Sequence, residues 1–365
     1  MDVAGRARRL QRALDDLGCD ALLVTHLTNI RYLTGFTGSA ALLVVLPGEL
    51  VFVTDGRYEQ QAGGELGDAG VEATLVVGRT LEAQRTAIVE ALADVERIGL
   101  EAEHVTWADQ REYAEKWFPS GTLVPVTEAV EVLRVVKDEG EVARVEAAAA
   151  IADAALAATV GLLEEGPTES AFALALDAEM RRLGADDISF ETIVASGPNG
   201  SRPHHTPGPR VVERGDLVVI DFGALVDGYH SDMTRTVAVG GLAALDHEQR
   251  RMLDVVTASQ AAGVAAVRAG AAVSVVDEAC RAVIAEAGWA DAFVHGTGHG
   301  VGLDIHESPR VSGTSTASLA DGHIVTVEPG VYLPGIGGVR VEDTVVVTST
   351  GCRRLTRAPI IPAPL

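Results

Sequence analysis

The chain has 365 residues, 47% apolar and 22% charged, which suits a two-domain globular protein with a sizeable core and excludes a disordered chain. Acidic residues outnumber basic ones by 52 to 29, giving a formal net charge of −23; that surface repels phosphate backbones and anionic headgroups and excludes nucleic acid and membrane as expected partners. Cys19, Cys280 and Cys352 lack metal or redox spacing, no apolar run is read as membrane-spanning, and the first twenty residues carry no apolar leader, so a cytoplasmic protein is expected.

In chain order, the first 126 residues alternate a helix near 4–17, the strands "ALLVT", "AALLVVL" and "LVFVTDG", a helix near 80–93, the strand "RIGLE", a helix near 106–117 and the strand "TLVPV". That alternation predicts an α/β layer domain over 1–126. An Ala-rich helix near 139–163, the turn signal "EEGPTES" and a helix over 168–183 open the second domain, 127–365. The strand-like segments "ISFETIVASG", "DLVVIDFGALV" and "GYHSDMTRTVAV" follow. Helices near 246–268 and 273–287 then precede "DAFVHGTGHGVGLDIHE", "HIVTVEPGVYL" and "GVRVEDTVVV". Two successive units of a helix pair followed by strands predict a pseudo-symmetric α+β domain with a curved antiparallel sheet and outer helices.

Within "VIDFGALVDGYHSDMTRT", Asp227-Gly228 is a two-residue hairpin signal, since a type I′ turn needs positive φ at both positions. The implied register sets 226 against 229 and 221 against 234, with Asp232 diagonal to Asp221 on one face. In "VTVEPGVYLPGIGGVRVED" the loop "PGIGG" pairs 333 with 337 and sets Glu328 opposite Glu342. Like charges so placed destabilise a sheet unless a cation sits between them. Arg340 shares the face of Glu342 and cannot neutralise four carboxylates alone.

Between the hairpins, "VHGTGHGVGLDIHE" brings His295, His299 and His306 in a glycine-rich run that lacks the lysine and strand–helix context of a phosphate loop. Four carboxylates and an imidazole form an oxygen-rich set for two divalent ions, favouring Mn²⁺ or Co²⁺ and admitting Zn²⁺.

On these motifs the C-terminal part resembles the pita-bread metallopeptidases (creatinase/aminopeptidase-like fold). With "TNIRYLTGFTGS" and "VFVTDGRYEQQA" the whole chain is similar to their proline-specific members, Xaa-Pro dipeptidase (prolidase) and aminopeptidase P. The resemblance implies a dinuclear centre in which Asp232 and Glu342 bridge, Asp221 holds one metal, and His299 and Glu328 hold the other. It also implies Glu328 as general base, His204 and His306 as substrate and transition-state contacts, His295 near a proline pocket, and Arg340 steadying the carboxylates. His205, beside His204, is the ambiguous neighbour. Short proline-containing peptides are the implied substrates and a homodimer the implied assembly; N-terminal domains of this kind cap a neighbouring subunit's site, with Arg57 and Trp107 as contributors here.

The dipeptidase reading is favoured over aminopeptidase P. A metal-free creatinase-like enzyme and a non-catalytic binding module on the same fold both conflict with the intact ligand set, and a single-domain methionine aminopeptidase conflicts with the first 126 residues. His230 is read either as support for the site or as packing. His26, His104, His247 and His323 have no motif and are read as structural.

Overall fold

A computed structural model describes residues 1–360 and divides the chain into two compact units, Met1–Arg134 and a second beginning at Val135. The first holds one six-stranded mixed sheet built from β1 (Ala21–Val24), β2 (Ala41–Val45), β3 (Leu50–Thr54), β4 (Thr74–Val77), β5 (Arg97–Glu101) and β6 (Thr122–Val126). Their spatial order is β4-β3-β2-β1-β5-β6. β1 and β3 are buried along their whole lengths, as strands covered on both faces must be.

Helices α1 (Ala4–Ala13), α2 (Leu27–Thr34), α3 (Glu59–Asp68), α4 (Leu81–Ala91), α5 (Trp107–Glu112) and α6 (Glu131–Arg134) complete the unit. The sequence reading omits α2, α3 and β4. Three glycines within α3, "EQQAGGELGD", give poor intrinsic helicity, and burial of Ala62 and Leu66 on one face overrides it. The expected boundary after 126 moves to Arg134, because α6 is tied back into the first unit: Arg134 Nη1 donates to Asn29 Oδ1 at 2.8 Å and Asn29 Nδ2 donates to Glu131 Oε1 at 2.6 Å.

The second unit contains the helix pairs α7 (Glu139–Thr159) with α8 (Glu169–Arg182) and α9 (His247–Ala266) with α10 (Val273–Glu286). Asp138 and Asp246 each form a capping box that starts the first helix of its pair. Each pair covers its own core cluster, one around Leu156, Leu176 and Ile220, the other around Met252, Val276 and Val345. With its 3₁₀ extension, the segment Glu139–Glu165 is long and apolar enough to cross a membrane, contrary to the expectation that no run is. Its Ala148, Ala152, Ala155 and Leu156 are buried in the first cluster, as in the core helix of a globular domain.

The strands of this unit are β7 (Asp187–Ile188), β8 (Ile193–Ser196), β9 (Leu217–Phe222), β10 (Ala224–Val226), β11 (Tyr229–His230), β12 (Met233–Ala238), β13 (Gly298–Gly300), β14 (Glu307–Val311), β15 (Ile324–Val327), β16 (Gly330–Leu333), β17 (Gly337–Arg340), β18 (Asp343–Thr348) and β19 (Gly351–Arg354). The antiparallel sheet is not one continuous ladder. It parts into β11-β10-β7, β12-β9-β8, β14-β13-β15-β18-β19 and β16-β17. The breaks fall at Gly223 with Asp232 and at Glu328 with Glu342, where the backbone of Glu328 and Glu342 pairs with Thr297 and Thr234 instead of continuing its own hairpin ladder.

Candidate metal centre

Both hairpin registers read from the sequence are present. Asp227 and Gly228 have φ of 48° and 75°, Val226 faces Tyr229, and Thr234 faces Asp221, which sets Asp232 diagonal to Asp221. Gly223 lies in the break opposite Asp232; a Cβ there would meet the Ser231 carbonyl oxygen at 1.9 Å. In the second hairpin Leu333 faces Gly337 and Gly330 faces Arg340, and the same register resumes at Val327 with Asp343. Glu328 and Glu342 are therefore opposite each other between the two ladders.

The hairpins are stitched together. Glu342 N–H donates to the Thr234 carbonyl at 3.1 Å, Thr234 Oγ1 donates to Glu342 Oε2 at 2.7 Å, and Thr344 Oγ1 donates to the Asp232 carbonyl at 2.7 Å. A fully buried pair, Arg235 with Asp343 at 2.8 Å, ties the same strands from behind.

Asp221, Asp232, His299, Glu328 and Glu342 line one cavity of about 260 Å³, together with His204, His295, His306 and Arg340. Ligand atoms of Asp232, His299 and Glu342 lie within 4.8 Å of one another. His299 Nε2 is 3.4 Å from Asp232 Oδ2 and 3.5 Å from Glu328 Oε1. Its Nδ1 is 3.0 Å from the Gly300 carbonyl; a carbonyl only accepts, so Nδ1 carries a proton and Nε2 is the nitrogen left to face the carboxylates and to serve as a metal ligand. Gly298 lets this strand approach closely, since a Cβ there would meet the Thr326 carbonyl at 2.1 Å.

The electrostatics call for a cation. Burial, aggravated by neighbouring carboxylates, raises the pKa of Asp232, of Glu328 and, most of all, of Glu342. Burial opposes charge on His299, yet Asp232 and Glu328 pull it up to about 9. Asp221 Oδ1 and Glu342 Oε1 are buried with no hydrogen-bond partner among the described residues, which costs roughly 1–3 kcal/mol per group or more for a charged one. A divalent ion held by these five side chains would satisfy both orphaned oxygens, and four carboxylates with one imidazole fit hard to borderline ions.

Arg340 hydrogen-bonds only one of the four acids: its Nη2 donates to Asp221 Oδ2 at 2.6 Å, its Nε to Thr234 Oγ1 at 3.1 Å and its Nη1 to Tyr332 OH at 2.8 Å. Tyr332 OH is in turn 2.8 Å from His295 Nε2, whose Nδ1 is 2.7 Å from the Gly296 carbonyl. His295 is therefore neutral with Nδ1 protonated, and burial pushes its pKa down to about 4. Burial likewise lowers His306 to about 4, with His299 adding to the effect, and its ring stands edge-on to His299 with centroids 4.4 Å apart.

His204 lines the cavity, whereas His205 Nε2 lies 2.8 Å from buried Glu169 Oε2. His230 has its Nδ1 at 2.9 Å from Ser189 Oγ and its backbone N–H on the Gly302 carbonyl; it packs the glycine-rich loop and is not among the cavity-lining residues. In the first unit Arg57 closes on Asp55 at 2.7 Å and Trp107 is exposed. The sequence reading missed Tyr332, Thr234 and Arg310. Arg310 lines the cavity and forms no ion pair among the described residues; its place in "HESPRV", just past His306, was the available signal.

Comparison with known proteins agrees with this geometry over the full length. Residues 143–349 match the model of metallopeptidase family M24 and residues 6–136 that of the creatinase/prolidase N-terminal domain. An Xaa-Pro dipeptidase of Pyrococcus furiosus is 33% identical, covering 96% of this chain and 97% of its own. Among solved structures, an Xaa-Pro dipeptidase from Bacillus anthracis superposes with a TM-score of 0.93 at 35% identity over 98% of both chains. An X-Pro aminopeptidase from Thermotoga maritima reaches 0.86 at 32% identity, over 95% of this chain and 98% of its own.

Proposed function

The chain belongs to metallopeptidase family M24 and carries a creatinase/prolidase N-terminal domain; on that premise we propose that it is a metal-dependent Xaa-Pro dipeptidase. The observation that carries the reading is the buried set of four carboxylates and one imidazole with two orphaned oxygens. Asp221, Asp232, His299, Glu328 and Glu342 would hold two divalent ions, with Mn²⁺ the best match to so oxygen-rich a set. When bound, such a pair lowers the pKa of water and polarises the scissile carbonyl.

The chain's own residues do the rest. Glu328, whose pKa burial raises toward neutrality, accepts the proton of the attacking water on its carboxylate and passes it to the proline nitrogen. His306, neutral at working pH, donates an N–H to the developing oxyanion, and His204 lines the same wall. The Arg340–Tyr332–His295 chain fixes the ring of His295 without adding charge. A bond preceding proline lacks an N–H, so recognition falls to shape and to the peptide's ends.

Cavity size and charge favour the dipeptide over a longer chain. The cavity of about 260 Å³ is below the roughly 300–1,000 Å³ usual for small-molecule sites, and Arg310 offers an uncommitted guanidinium to a terminal carboxylate. A homodimer is part of the reading, as is a reducing, cytoplasmic compartment, the latter supported by three free cysteines, two of them buried. Ala-Pro and Ala-Pro-Ala, assayed after chelation and re-addition of Mn²⁺, test it directly. Cleavage of the dipeptide alone, abolished by EDTA and restored by metal, is expected; preference for the tripeptide would make the enzyme an aminopeptidase, and chelator-resistant activity would sink the mechanism.

A further inference from the structure

The first unit holds a second convergence of ligand-type side chains that peptide hydrolysis does not use. β1 and β5 are parallel neighbours, with Ala21 opposite Ile98 and Leu23 opposite Leu100. β1 pairs on its other side with β2, the next strand in sequence, which runs antiparallel to it, so the carboxyl ends of β1 and β5 open side by side on one edge of the sheet. The residues that follow those two ends therefore meet in one crevice.

His26 and His104 occupy that crevice, just past the ends of β1 and β5. Their rings stack with centroids 3.7 Å apart and planes inclined by 5°. Glu131, on α6, completes the group with Oε1 2.8 Å from His104 Nε2, and one ligand atom from each of the three lies within 4.8 Å of the others. His104 and Glu131 are each about one-quarter exposed, 25% in both cases, which leaves an entry path from solvent.

The scaffold around the three is already ordered. Buried Glu101 accepts from Thr25 N–H at 2.6 Å and from His26 N–H at 2.9 Å, and its other oxygen accepts from Asn29 Nδ2 at 2.7 Å. Asn29 Nδ2 also donates to Glu131 Oε1, and Asn29 Oδ1 accepts from Arg134 Nη1. The charged groups around the cluster are thus Glu101, Glu131 and Arg134, a net negative charge. Two protonated imidazoles stacked face to face would repel each other, and because a ring nitrogen's lone pair lies in the ring plane, binding one ion through both would turn one ring out of the stack.

We propose that His26, His104 and Glu131 bind one divalent transition-metal ion of the zinc class, in addition to the carboxylate-rich centre of the second unit. Two imidazoles and one carboxylate leave a fourth tetrahedral position for water, an arrangement typical of zinc. The set is richer in nitrogen than the peptidase centre and therefore prefers Zn²⁺, Ni²⁺ or Co²⁺ to Mn²⁺. The ion would pin α6 to the ends of β1 and β5.

The test uses the full chain with the peptidase centre silenced by D232N and E342Q. After Zn²⁺ loading and desalting, elemental analysis should find roughly one equivalent retained, and Co²⁺ should give the visible bands of a tetrahedral nitrogen–oxygen site. Adding H104A should lower zinc affinity by about tenfold or more in titration calorimetry. Adding E131Q, which preserves an acceptor for Asn29 and His104, should do the same while leaving the circular dichroism unchanged, so a folding defect in H104A does not blur the outcome. No retained zinc in the silenced chain, or zinc held equally in H104A, H26A and E131Q, overturns the proposal.

Discussion

In the first half of the second unit the paired acids, Asp221 and Asp232, are short side chains set diagonally across a ladder that stays paired up to Phe222 and Met233. In the second half Glu328 and Glu342 are longer and directly opposed, in a gap between two ladders. Arg340 hydrogen-bonds only the first half, at Asp221, and burial outweighs its more distant pull on Asp232 and Glu328, whose pKa values rise, as does that of Glu342. Topological repetition therefore does not mean electrostatic equivalence: the guanidinium hydrogen-bonds one acid and leaves three without a direct arginine partner around His299, which concentrates the demand for cations where the halves meet. The halves also anchor their loops alike, through a buried helix carboxylate. Glu169 of α8 holds Ser196, Asn199 and Gly208 ahead of the first hairpin, and Asp277 of α10 holds Thr297 and Arg281 ahead of His299.

The largest effect expected from breaking this asymmetry is at Asp232, which has no compensating arginine of its own. D232N should lower kcat/KM for Ala-Pro by about three orders of magnitude or more, with loss of bound metal by elemental analysis. T234V, which removes only the hydroxyl bonded to Glu342 and Arg340, should cost about tenfold. Equal, small losses in the two variants would mean that the three uncompensated acids are not the ligands.

A smaller effect separates the walls of the cavity. The first half supplies Phe190 and Ile193, both apolar, and the second supplies Arg310. R310L should raise KM for Ala-Pro by roughly 10–100-fold with kcat nearly preserved, and should leave the weaker cleavage of Ala-Pro-amide almost unchanged. An equal penalty on the amide would show that Arg310 does not read the terminal carboxylate.

Much of this asymmetry is legible in the sequence because it rests on local signals. Asp227-Gly228 and "PGIGG" fix two registers, and fixed registers decide which carboxylates share a face. The capped helix pairs are equally local. What was not legible depends on distant contacts. Nothing in "RPHHTP" says that His205 rather than His204 turns to Glu169, a partner at the start of the distant helix α8. The glycines of α3 hide a helix that burial enforces, and Tyr332 reads as an ordinary strand aromatic until Arg340 and His295 close on its hydroxyl. His26 and His104 read as structural singly, and Glu131 draws no reading at all, because only the pairing of two parallel strands far apart in sequence brings them together.

The smallest effect is on stability, and its pH dependence identifies the cause. Burial alone would raise the pKa of Glu169, but hydrogen bonds from Asn199, Ser196 and His205 outweigh it and bring the carboxyl from the usual 4.5 down to about 2. A lowered folded-state pKa means that the stabilisation is complete above about 4.5 and is lost as the pH falls toward about 2. E169Q keeps the size of the side chain but presents an amide to a ring of donors, and should lower the melting temperature by about 3–8 °C at pH 6. Between pH 4.5 and pH 2.5 the wild-type protein should lose that advantage and the two melting curves should converge. A gap that stays constant across this range would assign the loss to packing, and the loop carrying His204 would then owe its position to shape rather than to the charge of Glu169.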